Sequence, residues 1–394
     1  MASFNFSVTS PLFDTSTEEW NSTNSATLCP EETTRPTDQQ GSAPYQGFVT
    51  PEAYLSFIEK SGYFIYPLTF LAFLFCGFGV IVYSTKQMRS PTSIYLLAVN
   101  LTELANVVIN MATETTGFIY GDRASDSLIY IVIFYYFNAY LGTSVRRTTF
   151  WLSSLLSAER CIAVCYPLKS KCFKLVRYPV VTAISVTISS VLFHVFVALK
   201  LFLYQYQSKD SNATLWKLLP TESFVTDRAP YDAMSIASKV LFVVLPLLGC
   251  LIFNFITVVA LRIHTKTRAS MTGSVGIKSN NNDSKTTITV LASTFVLVIM
   301  ALPSNITSFI GNVDADLQAK ELYSFLVFRR IGRLCELISN CVGFICYMTL
   351  SARFRKTFIG IFCPCRSKKS SINESSCQSS ASRETGLSTI SEEG

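Results

Sequence analysis

The chain has 394 residues, of which 49% are apolar and 15% charged, and its mean hydropathy is +0.35. A soluble globular chain carries nearer a quarter charged residues, so this composition excludes an ordinary soluble domain and points to a polytopic membrane protein. The net charge of +7 is sorted by position: residues 1–62 hold eight acids against Arg35 and Lys60, while cations gather at Lys86/Arg89, Lys169/Lys171/Lys174/Arg177, Arg262/Lys266/Arg268 and Arg353/Arg355/Lys356. That sorting reads as membrane orientation, and no nucleic-acid partner is expected.

Along the chain, the opening Met1-Ala2-Ser3-Phe4-Asn5 has neither a basic region nor an apolar core. No cleavable signal peptide is expected, and the first apolar segment serves as the membrane signal. Residues 1–62 read as a disordered extracellular tail, glycosylated at the sequons of Asn5 and Asn21. Apolar segments then fall near 63–84, 93–120, 128–160, 179–203, 234–262, 287–311 and 324–350. Each reaches the roughly 20 residues that a bilayer requires. In lipid each must be helical, because an open strand leaves its amides unpaired. The seventh opens on Arg329, Arg330 and Arg333, which shortens its apolar run.

Basic loops follow spans one, three and five, and the basic tail follows span seven. All four belong inside, which places the N-terminus outside a plasma membrane and the C-terminus in the cytoplasm. Asn212, in the loop 204–233, then lies outside and is a third glycosylation candidate. Residues 351–365 carry Phe354 and Phe358 on one face and cations on the other, which predicts an amphipathic helix on the inner leaflet. Cys363 and Cys365 follow it as palmitoylation sites or as free cytosolic thiols, and their position favours acylation. Residues 366–394 are Ser-rich and aperiodic, a disordered cytoplasmic tail. The twelve cysteines form no disulfide framework, and Cys29 is a lone thiol in the acidic tail. The expected fold is an all-α integral membrane protein, a seven-transmembrane helix bundle followed by an amphipathic inner-leaflet helix.

Ionisable residues inside the membrane are functional candidates by default. Glu103 and Glu114 are eleven apart in span two, which returns them to within ~20° of one another. Arg146 lies fourteen residues before Arg160, ~40° from it in azimuth and ~21 Å towards the outside, whereas Arg147 is ~140° away. Arg146 is therefore expected to face the bundle. Arg333 lies fourteen before Tyr347, at about the same depth, and Lys239 two turns before Pro246. Cations from three helices are expected to converge in the outer half. There Arg146, Lys239, Arg333 and Glu114 line a site for a peptide C-terminal carboxylate or an acidic small molecule, since an arginine fork grips a carboxylate through two hydrogen bonds. The competing reading is internal ion pairing of Arg146 or Arg333 with Glu336 or Glu114.

The third span closes on Ser157-Ala158-Glu159-Arg160-Cys161-Ile162-Ala163-Val164-Cys165-Tyr166-Pro167-Leu168-Lys169. This stretch resembles the cytoplasmic end of the third helix of rhodopsin-like (class A) G-protein-coupled receptors. Glu159-Arg160-Cys161 stands where that family has Asp-Arg-Tyr, and Pro167-Leu168 where it has its Pro-Leu loop. The resemblance extends from about Tyr63 to Cys365. Met88-Arg89-Ser90-Pro91-Thr92-Ser93-Ile94-Tyr95-Leu96-Leu97 resembles the first inner loop running into helix two. Pro246 and Pro303 stand where helices five and six kink, and Tyr347 where helix seven has its tyrosine. The departures are Gly343-Phe344 in place of Asn-Pro, Ala301 in place of a tryptophan, Cys76 in place of an asparagine, and no cysteine in 128–160 or 204–233 to make the usual disulfide. The pattern is most similar to divergent invertebrate peptide or chemosensory receptors.

The resemblance implies a receptor that transduces an extracellular ligand to a heterotrimeric G protein. It gives Glu159, Arg160, Pro246, Pro303 and Tyr347 to the activation switch, and the tail to arrestin and receptor kinases. It also aligns Glu103 with an acidic residue that binds sodium, with Thr149, Ser339 and Asn340 nearby; the alternative there is a buried hydrogen-bond network. Gly142 stands where amine receptors have an aspartate, and 322–350 holds no lysine for a retinal Schiff base, so amines and retinal are argued against. No intramembrane His-x-x-x-His pair, paired aspartates or Gly-x-Ser motif marks an enzyme, and no cofactor is implied. A transporter or ligand-gated channel using Glu103, Glu114, Arg146 and Glu336 is the alternative, although no internal repeat supports it.

Overall fold

A computed structural model describes residues 48–120, 127–167, 169–207, 214–271, 281–313, 317 and 320–362. The expected features at Asn5, Asn21, Cys29, Asn212, Cys363, Cys365 and 366–394 lie outside these residues. Among the described residues, seven helices are long and apolar enough to cross a membrane. They are α1 (Pro51–Ser84), α2 (Pro91–Tyr120), α3 (Leu128–Cys165), α4 (Pro179–Leu199), α5 (Ala229–His264), α6 (Asn281–Val313, apolar over Thr287–Ile310) and α7 (Leu322–Leu350). The short helix α8 (Ala352–Phe362) follows α7. This is the seven-helix membrane bundle with its amphipathic eighth helix.

The helix starts follow local chemistry as well as hydropathy. α1 begins twelve residues before the apolar run at 63, because Thr50 accepts from the Ala53 amide at 3.3 Å and Pro51 occupies the first helical position. Those early turns are held down: Tyr54 and Ser61 are buried, and the Tyr54 ring lies 5.5 Å from that of Tyr323 on α7. Two helices widen locally into π turns, over Val132–Gly142 in α3 and Val240–Val244 in α5. In α5 the wide turn sits just before Pro246, whose ring would clash with the carbonyl four residues back in a regular helix. Pro303 lies within α6, and α7 runs without a proline from end to end.

Between α4 and α5 the chain forms an antiparallel hairpin that the hydropathy pattern did not announce. Strand β1 (Leu201–Gln207) pairs with β2 (Thr214–Pro220), with Leu201 opposite Pro220 and Gln207 opposite Thr214. Seven-residue strands are too short to stand out against flanking apolar helices, and their aromatic-rich sequence reads equally well as a helix end.

The largest buried apolar cluster lies at the end of the bundle that carries Arg160. Tyr83, Tyr95, Leu152, Leu156, Tyr347 and Phe354 form one buried cluster there. α8 presses Phe354 and Phe358 into it, and Phe344 meets the rings of Phe354 and Phe358 at 5.8 Å each and stacks on Phe75 at 4.6 Å. Phe344 thus gives α7 an aromatic anchor at the position where an Asn-Pro pair would kink the helix. Arg355 donates to the Met348 and Thr349 carbonyls, closing the end of α7. Further along α7, a Cβ on Gly332 would sit 2.6 Å from the Ser304 Cβ and 2.8 Å from its Cα, so a glycine is required for α6 and α7 to approach.

Candidate functional site

Three polar constellations occupy the bundle. The first lies at its Arg160 end. Arg160 meets Glu159 through two contacts of 2.7 Å, Nε to Oε2 and Nη2 to Oε1. Neighbouring residues diverge by ~100° on a helix, so the pair closes only because the long arginine folds back. Glu159 is buried, and Thr92 of α2 donates to both its oxygens at 3.2 and 3.1 Å while accepting from Arg160. Both oxygens of the buried carboxylate are therefore hydrogen-bonded, the condition under which a buried ion pair is tolerated. On the same level Tyr347 bonds Ser293 of α6 at 3.0 Å and packs edge-on against Tyr83 at 5.8 Å.

The second is a small cavity of about 30 Å³, lined among others by Glu103, Ser153, Ser293, Ser339, Asn340 and Tyr347. It has room for one or two water-sized species. Three of the four residues expected at a sodium site, Glu103, Ser339 and Asn340, line it. Thr149 does not: its hydroxyl bonds Thr102 at 2.9 Å and the Val145 carbonyl at 3.2 Å. Ser153, one turn along, takes the place that Thr149 was expected to fill. The Cys76 thiol lies 4.0 Å from Glu103.

The third constellation fills the half of the bundle farther from Arg160, and it differs from expectation in two ways. The expected cations do not converge on one point. Arg146 and Arg333 face the α2–α7 side, where both approach Glu336, at 3.9 and 3.8 Å. Lys239 lies on the other side of α3, buried between α5 and α6, and donates to the Ser308 carbonyl. Nor is Arg146 the only inward-facing member of its pair. Arg147 also points into the bundle, where its Nη1 donates to Asn305 of α6 at 3.2 Å. Because α3 runs centrally and has neighbours on both flanks, a side chain ~140° from Arg160 still faces the bundle. Asn305 itself donates to the Ala301 carbonyl at 2.7 Å, which holds its side chain within the helix bundle.

Internal ion pairing, the competing reading, is present too. Arg330 pairs with Glu114 at 3.2 Å and reaches Ser61 of α1 at 3.3 Å. Arg330 was not singled out from the sequence, nor was Asn106, which bonds Glu336, nor Asn110, which bonds Asn106 at 2.9 Å. A signal for these was available. Glu103, Asn106, Asn110 and Glu114 recur at helical spacing, a polar stripe down an otherwise apolar span. On α4, the buried His194 bonds the Ser190 carbonyl and the Ser238 hydroxyl, both at 2.7 Å, consistent with a packing role between α4 and α5.

The eight cysteines that the structure describes are all free, so no disulfide joins α3 to the hairpin among the described residues. Nor is there a cluster of His, Cys, Asp or Glu able to hold a metal ion among them.

The family model of the Serpentine type 7TM GPCR chemoreceptor Srw matches residues 63–365. No curated protein matches the chain. The matched family is one of receptors, not of enzymes, and it does not favour the transporter or channel alternative.

Proposed function

Because the chain belongs to the Srw family of serpentine seven-transmembrane G-protein-coupled chemoreceptors, we propose that it carries an extracellular chemical signal across the plasma membrane to a heterotrimeric G protein. It is a multi-pass membrane protein, and this reading sets its N-terminus outside and its Arg160 end in the cytoplasm. The observation that carries the reading is the closed Glu159–Arg160–Thr92 latch at the end of α3. It supports a resting state of the rhodopsin-like kind, in which Arg160 is held against α2. Agonist bound in the far half shifts a pre-existing equilibrium, α5 and α6 move at their Arg160 ends, and the released guanidinium meets the G protein. Tyr347 and Ser293 bridge α7 to α6 beside the latch, and Pro246 and Pro303 sit in the two helices that move.

The ligand we propose is a peptide with a free C-terminal carboxylate or an acidic small molecule. Two partly buried arginines in that half, sharing one carboxylate, favour an anion. The cavity at Glu103 takes a sodium ion or a proton that tunes the switch. Asn5, Asn21 and Asn212 carry glycans, Cys363 and Cys365 palmitate, and the Ser-rich tail recruits receptor kinases and arrestin. The deciding experiment is a panel of peptides and small acids applied to cells expressing the receptor, read by calcium or cyclic AMP. A response that Arg160→Ala abolishes at equal surface expression supports coupling. A response unchanged in Arg160→Ala rejects it.

A further inference from the structure

The cations of the far half fall into two groups, separated by the axis of α3. Arg146 and Arg147 are consecutive, so their side chains leave the helix ~100° apart. Arg146 goes to Arg333 and Glu336, whereas Arg147 goes to Asn305 and Lys239 to the Ser308 carbonyl, one turn further along α6. Neither group is satisfied. In the first, Arg333 is only 11% exposed, yet none of its three guanidinium nitrogens has a hydrogen-bond partner. Its approach to Glu336 at 3.8 Å is an ion pair without a hydrogen bond, and Glu336 already accepts from Asn106 and faces Arg146. In the second group, the described contacts of Arg147 and Lys239 are to a neutral amide and a main-chain carbonyl, and the Arg147 Nε is buried with no partner. A buried guanidinium left without acceptors is costly, and it persists where a bound partner completes it.

We infer that the receptor's ligand carries two separate anionic groups, one received by Arg333 with Arg146 and the other by Arg147 with Lys239, so that it lies across α3. The inference rests on the reading of this half as the ligand site, and it narrows that reading from an acidic ligand to a dianion. One carboxylate leaves either Arg333 or Arg147 as it stands. Two acids on one backbone bring the second group to its site at high effective concentration, so affinity rises by far more than the doubling expected from two equivalent groups. It also gives the ligand a purchase on α3, α5, α6 and α7 together, the helices on which the switch residues sit.

The test uses the purified full-length receptor and α,ω-dicarboxylates from succinate to suberate, each set against the monocarboxylate of the same length. Thermal unfolding reads binding, because a ligand that binds only the folded state raises Tm. At least one dicarboxylate should raise Tm at about one tenth the concentration its monocarboxylate requires. Arg333→Met and Arg147→Met should each erase that advantage. The ligand-free Tm supplies a second readout: Arg333→Met should leave it unchanged or raise it, because an unsatisfied charge is removed. A fall in the ligand-free Tm of Arg333→Met would mean that the arginine is a structural partner of Glu336, and would overturn the inference. Equal potency of mono- and dicarboxylates, with both losing effect in Arg333→Met, overturns the two-group inference while leaving the acidic-ligand reading in place. Absence of any Tm response to every acid, with wild-type Arg160-dependent signalling to a neutral peptide intact, overturns both the two-group inference and the acidic-ligand reading but keeps the receptor.

Discussion

At the Arg160 end a guanidinium meets its carboxylate through two contacts of 2.7 Å and a threonine closes the set, whereas in the far half Arg333 and Arg146 stand 3.8 and 3.9 Å from a single shared Glu336. Both regions bury charge. The difference is in how completely each charge is bonded. A saturated buried pair holds a conformation and resists change, while an unsaturated one stores unfavourable free energy that an incoming group can release. On the proposed function, polar satisfaction is what distinguishes the switch from the ligand site, without reference to depth or to any bound molecule.

The largest effect is expected where the bonded set is opened. Arg160→Ala should abolish agonist-stimulated nucleotide exchange on the G protein at unchanged surface expression. Thr92→Val, which is nearly isosteric and removes both bonds to Glu159 and the acceptor for Arg160, should raise ligand-independent exchange roughly tenfold. A Thr92→Val receptor as silent as the wild type would show that the latch does not restrain activation.

Next comes the contact that sets how closely α6 and α7 approach. Gly332→Ala forces a methyl group against the Ser304 Cβ and backbone and should cost about 1–3 kcal/mol of stability, seen as a lowered Tm. Gly343→Ala is the control: a Cβ there meets nothing within 4 Å, so helix propensity alone acts and stability should rise by about 0.5–1 kcal/mol. If both variants lose stability alike, close approach is not what Gly332 provides.

A smaller effect tests the bridge between α6 and α7. Tyr347→Phe keeps the ring against Tyr83 and removes only the bond to Ser293. It should lower stability by about 0.5–1.5 kcal/mol and shift the coupling equilibrium in the same direction as Ser293→Ala. A double variant no worse than either single one would confirm that the two act through one bond.

The sequence carried the seven spans, the amphipathic eighth helix and the Glu159–Arg160 pair, because each rests on a long or local pattern: twenty apolar residues, a phenylalanine pair four apart, an acid beside an arginine. What it hid was pairwise. Nothing local to Thr92 says that it will meet Glu159 from another helix, and nothing local to Ser153 says that it will line the cavity in place of Thr149. The inward course of Arg147 is not legible from its azimuth relative to Arg160, because α3 has neighbours on both sides. The hairpin β1–β2 was missed because its strands are short, and the start of α1 because Thr50-Pro51 is a capping signal that hydropathy does not register. Arg330 was seen only as a charge that shortens a span. Its bond to Glu114 shows how such a charge enters a membrane helix, with its counter-ion already placed on the facing one.

The smallest effect concerns the far edge, where Glu321 joins the chain before α1 to the start of α7. Its Oε2 accepts from the Phe48 amide at 2.9 Å and from the Ser324 hydroxyl at 2.7 Å. The Phe48 amide, with help from Ser324, holds the carboxyl below its ordinary value, because both donors favour the charged form. The folded value is the depressed one, so the contact's contribution is present above the ordinary carboxylate range and is lost as the pH falls through the folded value. Hydrogen exchange at the Phe48 amide, compared between the wild type and Glu321→Leu at each pH, isolates it. Protection in the wild type should exceed that in the variant at pH 7, and the two should converge only in acid below the ordinary carboxylate range, once the pH has passed the depressed folded value and the carboxylate is neutralised. An excess that persists unchanged into acid would mean that Phe48 is held by packing and not by the charge. The tether would then stand apart from the charged contacts around it.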